Sequence, residues 1–223
     1  MVIVFSACVM AQISPLFAIP TAAAQMPDAE ALNAELRALF LERETQGAKY
    51  ANPNPYTARN PALFESHFDL FSWPETCVHR LAQFCLGELS QTVAQLSGMD
   101  VVAMRKMQIA TDAWFHITRR GGFFGVHNHP MASWSGVYCV SPGQHDADYA
   151  ESGRLSFVNP NSLAGMYLDP GNAQVRMPFG FNNFAFDLRA GQLVLFPSWL
   201  QHYVLPFQGE GERITVAFNC SFR

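Results

Sequence analysis

The feature that most limits what this chain can fold into is a change of texture near Val101. Beyond it come short runs rich in β-branched and aromatic residues: Met107–Ala110, Ala113–Thr118, Gly136–Val140, Arg154–Val158, Gln192–Phe196 and Arg213–Phe218. Gly, Pro, Asn and Asp cluster between them, as turns do between strands. Ahead of it the apolar residues recur at helical spacing. A helix is predicted from Pro27-Asp28, with Leu32, Leu36, Leu39 and Phe40 on its buried face and Glu30, Glu35 and Arg37 in water. A second is predicted from Pro74-Glu75 to Gly98, with an apolar set that includes Val78, Leu81, Phe84, Cys85, Leu89, Val93 and Leu96. Between them Ala51–Asn60, with Asn52-Pro53-Asn54-Pro55, reads as loop. Leading helices followed by many short strands predict a mainly β fold, a jelly roll or double-stranded β-helix covered on one side by helices. We expect one domain, with residues 1–100 as an N-terminal strand and packing helices and 101–223 as the jelly-roll core.

Composition fits a packed globular chain. Half of the 223 residues are hydrophobic, only 14% are charged, and nineteen Phe supply aromatic core volume. A net charge of −4 with no basic run implies no nucleic-acid partner. Cys8, Cys77, Cys85, Cys139 and Cys220 are odd in number and never closely paired, so they read as free thiols of a reducing compartment. The first 25 residues are apolar in Val2–Met10, and Thr21–Gln25 resembles a small-residue cleavage site. No Lys or Arg precedes that run, and Gln12, Ser14, Pro15 and Pro20 break it, so a folded N-terminal strand, a cytoplasmic location and no membrane span are the expectation.

The chemistry lies in the histidines. His127 and His129 stand two apart in Gly125-Val126-His127-Asn128-His129-Pro130. On an extended strand both imidazoles face one side and can share a metal ion, with Asn128 turned away. His202, after the apolar run Leu193–Pro197, is the leading third ligand. Imidazole suits Fe, Zn, Cu and Ni, so the histidines alone leave the metal open. His67, His79, His116 and His145 have no such setting and read as surface or satisfied core residues.

Eleven residues after His202, Arg213 opens a strand whose one face carries Arg213, Thr215, Ala217 and Asn219, while Ile214, Val216 and Phe218 pack the other. An arginine directed into a barrel needs an anion, and its fork matches a carboxylate, with the Thr215 hydroxyl as a second donor. The competing reading is a surface ion pair with Glu210, Glu212 or Asp187.

Taken together these pieces resemble the 2-oxoglutarate/Fe(II) oxygenase superfamily. Within it they look like a subgroup carrying H-x-H-P, S-G-V-Y, F-P-S-W-x-x-H and a terminal E-R-I strand. Here these are His127–Pro130, Ser135–Tyr138, Phe196–His202 and Glu212–Ile214, and Pro15-Leu16-Phe17 and Leu32-Asn33 look like the subgroup's opening. The resemblance implies Fe(II) at one end of a double-stranded β-helix, held by His127 and His202, with Arg213 and Thr215 on the distal carboxylate of 2-oxoglutarate. It further implies O2 as oxidant, release of succinate and CO2, and hydroxylation of a small-molecule or peptide substrate. Tyr138, Trp114, Trp134 and Trp199 are candidate pocket residues, Tyr138 the one assigned to the co-substrate.

One departure stands out. Most of the superfamily has Asp or Glu where this chain has His129, and the exchange leaves the site one unit more positive. His129 is the first choice for the third ligand, with water, Asp146 or Glu151 as alternatives. A cupin-type metal enzyme without 2-oxoglutarate is a second reading, since Gly121-x5-His127-x-His129 and Gly191-x5-Pro197 with His202 approximate cupin motifs. A non-catalytic ligand-binding jelly roll is a third. Substrate choice is expected in the loops Pro142–Glu151 and Asn159–Asn183, the second a lid or an ordinary long connection. Oligomeric state is not encoded in any feature of the sequence.

Overall fold

The computed structural model describes residues 11–144, 146–161, 167 and 169–223. Strand β1 (Ala22–Gln25) precedes helix α1 (Ala29–Thr45); β2 (Leu63–Glu65) leads to α2 (Thr76–Ser97) and the short α3 (Val101–Lys106). Then follow β3 (Ile109–Thr118), β4 (Phe124–His127), β5 (Trp134–Ser141), β6 (Leu155–Phe157), β7 (Phe184–Phe186), β8 (Gln192–Pro197), β9 (His202–Val204) and β10 (Arg213–Phe222). Both long helices fall where the apolar spacing predicts them. Gly98 ends α2 in the left-handed conformation that spares it a Cβ clash. The turn of α3 was not anticipated; Asp100 caps it, its carboxylate accepting from the Ala103 N–H at 2.7 Å.

Six antiparallel strands form a large sheet in the order β1-β8-β5-β10-β3-β2, and four form a smaller one, β4-β9-β6-β7. Alternation along the large sheet sorts its side chains into two cores. One face, with Phe115, Ile117, Tyr138, Leu193, Leu195, Ile214, Val216 and Phe218, packs against Leu32, Leu36, Phe40, Leu81 and Leu89 of α1 and α2. The other, with Cys139, Val194 and Phe196, meets Leu155 and Phe157 of the small sheet. The two sheets therefore close face to face around their own apolar layer, the jelly-roll arrangement expected from the strand pattern.

Two readings change in detail. Met107–Ala110 and Ala113–Thr118 are one continuous strand, β3, because Thr111 and Asp112 pair with Cys220 and Asn219 and stay extended. Ala22–Gln25, the small-residue stretch, is an edge strand paired along β8 from Ala22↔Leu195 to Gln25↔Gln192. Val2–Met10, Cys8 and His145 lie outside the described residues. The other four cysteines are buried and free. No helix of the described residues is long and apolar enough to cross a membrane.

Candidate active site

The three histidines meet between the mouths of the two sheets. His127 ends β4 and His202 opens β9, and they are cross-strand partners, with ring centroids 4.2 Å apart. His129 lies beyond the strand end, 5.0 Å from the His127 ring and 5.2 Å from that of His202. One ligand nitrogen from each falls within 4.8 Å of the others, a spread that a single ion can bridge. Convergence thus arises differently from the simple alternation of a strand. The chain turns after His127, and the His129 N–H donates to the Ser198 carbonyl at 2.8 Å. Ser198 is itself fixed: its hydroxyl meets that of Ser135 at 2.8 Å, and Ser135 donates to Asn219 Oδ1 at 2.8 Å. The S-G-V-Y, F-P-S-W and H-x-H segments are therefore one interlocked corner.

Ring orientation is set locally. His127 Nδ1 lies 2.8 Å from the Gly125 carbonyl and His202 Nδ1 2.9 Å from that of Leu200. A carbonyl only accepts, so each Nδ1 carries the proton and each Nε2 presents its lone pair to the centre. Burial, and then the neighbouring imidazoles, push His129 down to about 4 and His202 down to about 3; burial also lowers His127. All three are neutral at pH 7, the protonation state a metal ligand requires.

Deeper in the same cavity, about 440 Å³ with its open mouth, lie Arg213 and Thr215 of β10. Arg213 is 4% exposed and Thr215 2%. The surface ion-pair reading of Arg213 does not hold: Glu212 pairs with Arg37 at 2.7 Å and Asp187 with Arg154 at 2.5 Å. Burial pushes the Arg213 pKa down, yet a guanidinium stays protonated at neutral pH. Its Nη2 is buried without a hydrogen-bond partner. A buried, under-satisfied cation beside a set of neutral nitrogen ligands is costly to keep, and an anionic ligand in the cavity would remove that cost.

Among known proteins, residues 112–219 match the family model described as "Putative 2OG-Fe(II) oxygenase". The match spans just under half of the chain. It runs from β3 into β10 and contains every residue of the cavity just described. No curated protein matches by sequence. By fold the chain is similar to a Pseudomonas putida prolyl-4-hydroxylase (TM-score 0.61, 16% identity, 92% of this chain and 94% of that one covered). AviO1 from Streptomyces viridochromogenes Tue57 gives 0.58, 17%, 92% and 90%. HygX from Streptomyces hygroscopicus, solved with nickel, 2-oxoglutarate and hygromycin B bound, gives 0.52, 14%, 92% and 83%.

In this oxygenase fold the remaining sequence-predicted residues divide. Trp114 lines the cavity, its ring edge-on to His129 at 5.7 Å. Tyr138 is a correction. It alternates with the inward Val137 and Cys139, so it points to the helices, where its hydroxyl donates to Asn33 Oδ1 at 2.7 Å. Trp134 packs on the same helix side, and Trp199 is 52% exposed. Asp146 and Glu151 are absent from the histidine cluster.

Sequence reasoning missed His116, which lines the cavity with its Nε2 3.1 Å from Glu65 Oε2 and 3.1 Å from Trp114 Nε1. Both contacts compete for one nitrogen: it accepts from the indole when bare and donates to the carboxylate when protonated. Burial would raise the Glu65 pKa, but His116, Asn52 and Arg59 outweigh it and hold the carboxyl below its usual range. The signal was available, since His116 shares a strand face with Trp114, but β2, which brings Glu65, is only three residues long.

Proposed function

We propose that the chain is an Fe(II)/2-oxoglutarate-dependent oxygenase in which His127, His129 and His202 hold the iron and Arg213 with Thr215 holds the far carboxylate of 2-oxoglutarate. The observation that carries this reading is a guanidinium buried without a full set of partners in the same cavity as three converging neutral imidazoles. The donor set fits the metal: three nitrogen ligands suit a divalent first-row ion and leave coordination positions for other groups. When bound, the iron supplies the site for O2 activation, and the co-substrate supplies two electrons on becoming succinate and CO2.

The chain's own residues prepare that chemistry. The Gly125 and Leu200 carbonyls fix the tautomers of His127 and His202, so neither ring must reorient to bind. Arg213 offers paired N–H donors on the cavity wall and sets the direction of a dicarboxylate, with its other end toward the histidines. Leu155, Phe196 and Val204 line the walls and keep water from the reacting groups. His129 in place of a carboxylate leaves the ligand set neutral. An anionic co-substrate then supplies the negative charge that a carboxylate ligand supplies elsewhere in the superfamily. The cupin-type alternative shares the fold and the histidines but has no use for an inward arginine.

Anaerobic Fe(II) titration with and without 2-oxoglutarate, followed by the visible charge-transfer band of the chelate, tests the proposal. The band is expected only with both components. Its absence despite stoichiometric iron binding would remove 2-oxoglutarate from the reading.

A further inference from the structure

A second cavity, about 790 Å³ with its open side, sits against the outer side of His127 and His129. It shares Trp114, Phe124 and both histidines with the inner cavity, which makes it the approach to the centre. Its walls combine aromatic faces with acidic and amide groups. Tyr56 is 96% exposed, and Phe68 lies 4.5 Å from the Trp114 ring. Asp112 stands on β3 two residues before Trp114, on the same strand face, opposite Asn219. No Lys or Arg lines the cavity among the described residues. Glu65 also borders it, but Arg59 at 3.0 Å and His116 at 3.1 Å already engage its two oxygens. Asp112 has no such partner: none of the ion pairs among the described residues involves it.

We propose that this vestibule binds an ammonium group of the substrate, Asp112 supplying the counter-charge and the exposed rings of Tyr56 and Phe68 the aromatic faces. The proposal rests on the oxygenase reading for its consequence, since the cation would lie beside the histidines. The physical argument is a matching of fields. An unpaired carboxylate and the negative faces of two exposed rings attract a cation and repel a carboxylate or phosphate. Asn52 and Asn219 add amide groups to the same wall, though the Asn219 carbonyl oxygen already accepts from Ser135. The inner cavity has the opposite polarity, with Arg213 on its wall. The two ends of the site therefore discriminate between an anionic co-substrate and a cationic substrate.

Ligand-observed NMR on EDTA-treated protein tests this with n-pentylammonium, pentanol and pentanoate, so that neither metal ligation by the amine nor turnover contributes. Pentylammonium is expected to bind most tightly and pentanoate least. D112N should weaken pentylammonium about fivefold and leave pentanol unchanged, and Y56A, at an exposed position that does not endanger folding, should weaken it about twofold to fivefold. Tighter binding of a lysine-bearing pentapeptide than of pentylammonium assigns the ammonium to a protein side chain, and equal binding assigns it to a free amine. Pentanoate binding as well as pentylammonium, or D112N without effect, overturns the proposal. Such a failure leaves the Fe(II)/2-oxoglutarate titration untouched, and failure of that titration leaves this binding series interpretable.

Discussion

Replacing Arg213 by Met separates two effects that a generally damaging mutation would join. The side chain keeps an unbranched apolar stem, shorter than the arginine, and loses a charge that is 4% exposed and whose Nη2 has no partner. Without co-substrate, that loss removes a buried, poorly compensated cation, so Arg213→Met should leave the unfolding free energy unchanged or raise it by about 1–2 kcal/mol. With co-substrate the sign reverses. Removing one member of a buried charge pair costs about 2–5 kcal/mol, or roughly 30-fold to several-thousand-fold in Kd. Thermal unfolding reads both. At 2-oxoglutarate 100-fold above Kd the wild type gains about 2.7 kcal/mol, and a chain of this length should rise by about 5–10 °C in Tm. Arg213→Met should begin at an equal or higher Tm and gain at most about a third as much. A variant that melts well below wild type without ligand, yet keeps the full ligand-dependent rise, would refute the argument. It would mean that the guanidinium is satisfied within the fold and has no part in co-substrate binding.

Acid should destabilise the metal-free protein through the clustered histidines. His129 and His202 titrate near 4 and 3 when folded but near 6.5 when unfolded, so between these values the unfolded chain takes the protons. Stability is complete above pH 6.5 and falls as the pH drops, by roughly 2–4 kcal/mol at pH 5. Urea melts of EDTA-treated protein at pH 7.5 and 5 measure the fall, and His202→Asn should remove about half of it. Tyr138→Phe should cost about 1–2 kcal/mol by stranding the Asn33 carbonyl, with the co-substrate Kd unchanged; a large change in Kd would return Tyr138 to the pocket. His116→Phe should cost about 1–3 kcal/mol because whichever of the Glu65 oxygen and the Trp114 N–H its Nε2 serves loses its partner. In a Co(II)-loaded sample it should also alter the ligand-field spectrum through the Trp114–His129 contact, and an unchanged spectrum would show that Trp114 does not orient His129.

The legible parts of this chain are those in which one local pattern carries the answer. The helical spacing of Leu32, Leu36 and Phe40 gives α1 its buried face, and alternation from Arg213 to Asn219 separates Arg213 and Thr215 from Ile214, Val216 and Phe218 as the sheet then does. Tyr138 shows where that kind of inference ends. Its strand was legible, but which face of β5 meets the helices depends on its register with β10, where Tyr138 opposes Val216, and a shift of one residue would have exchanged it with Val137. A further irregularity, between Ile214 and Thr215, moves the partner from Ser141 to Cys139, and no residue type signals it. His129 is the opposite case. Its nearness to His127 was expected from strand alternation, yet the strand stops at His127, and a backbone bond to Ser198, 69 positions away in sequence, holds the third ring in place. Two histidines at i and i+2 can thus meet a third from a distant strand without lying on one regular strand themselves. What the spacing encodes is proximity, and the long-range bond from Ser198 turns that proximity into a usable centre.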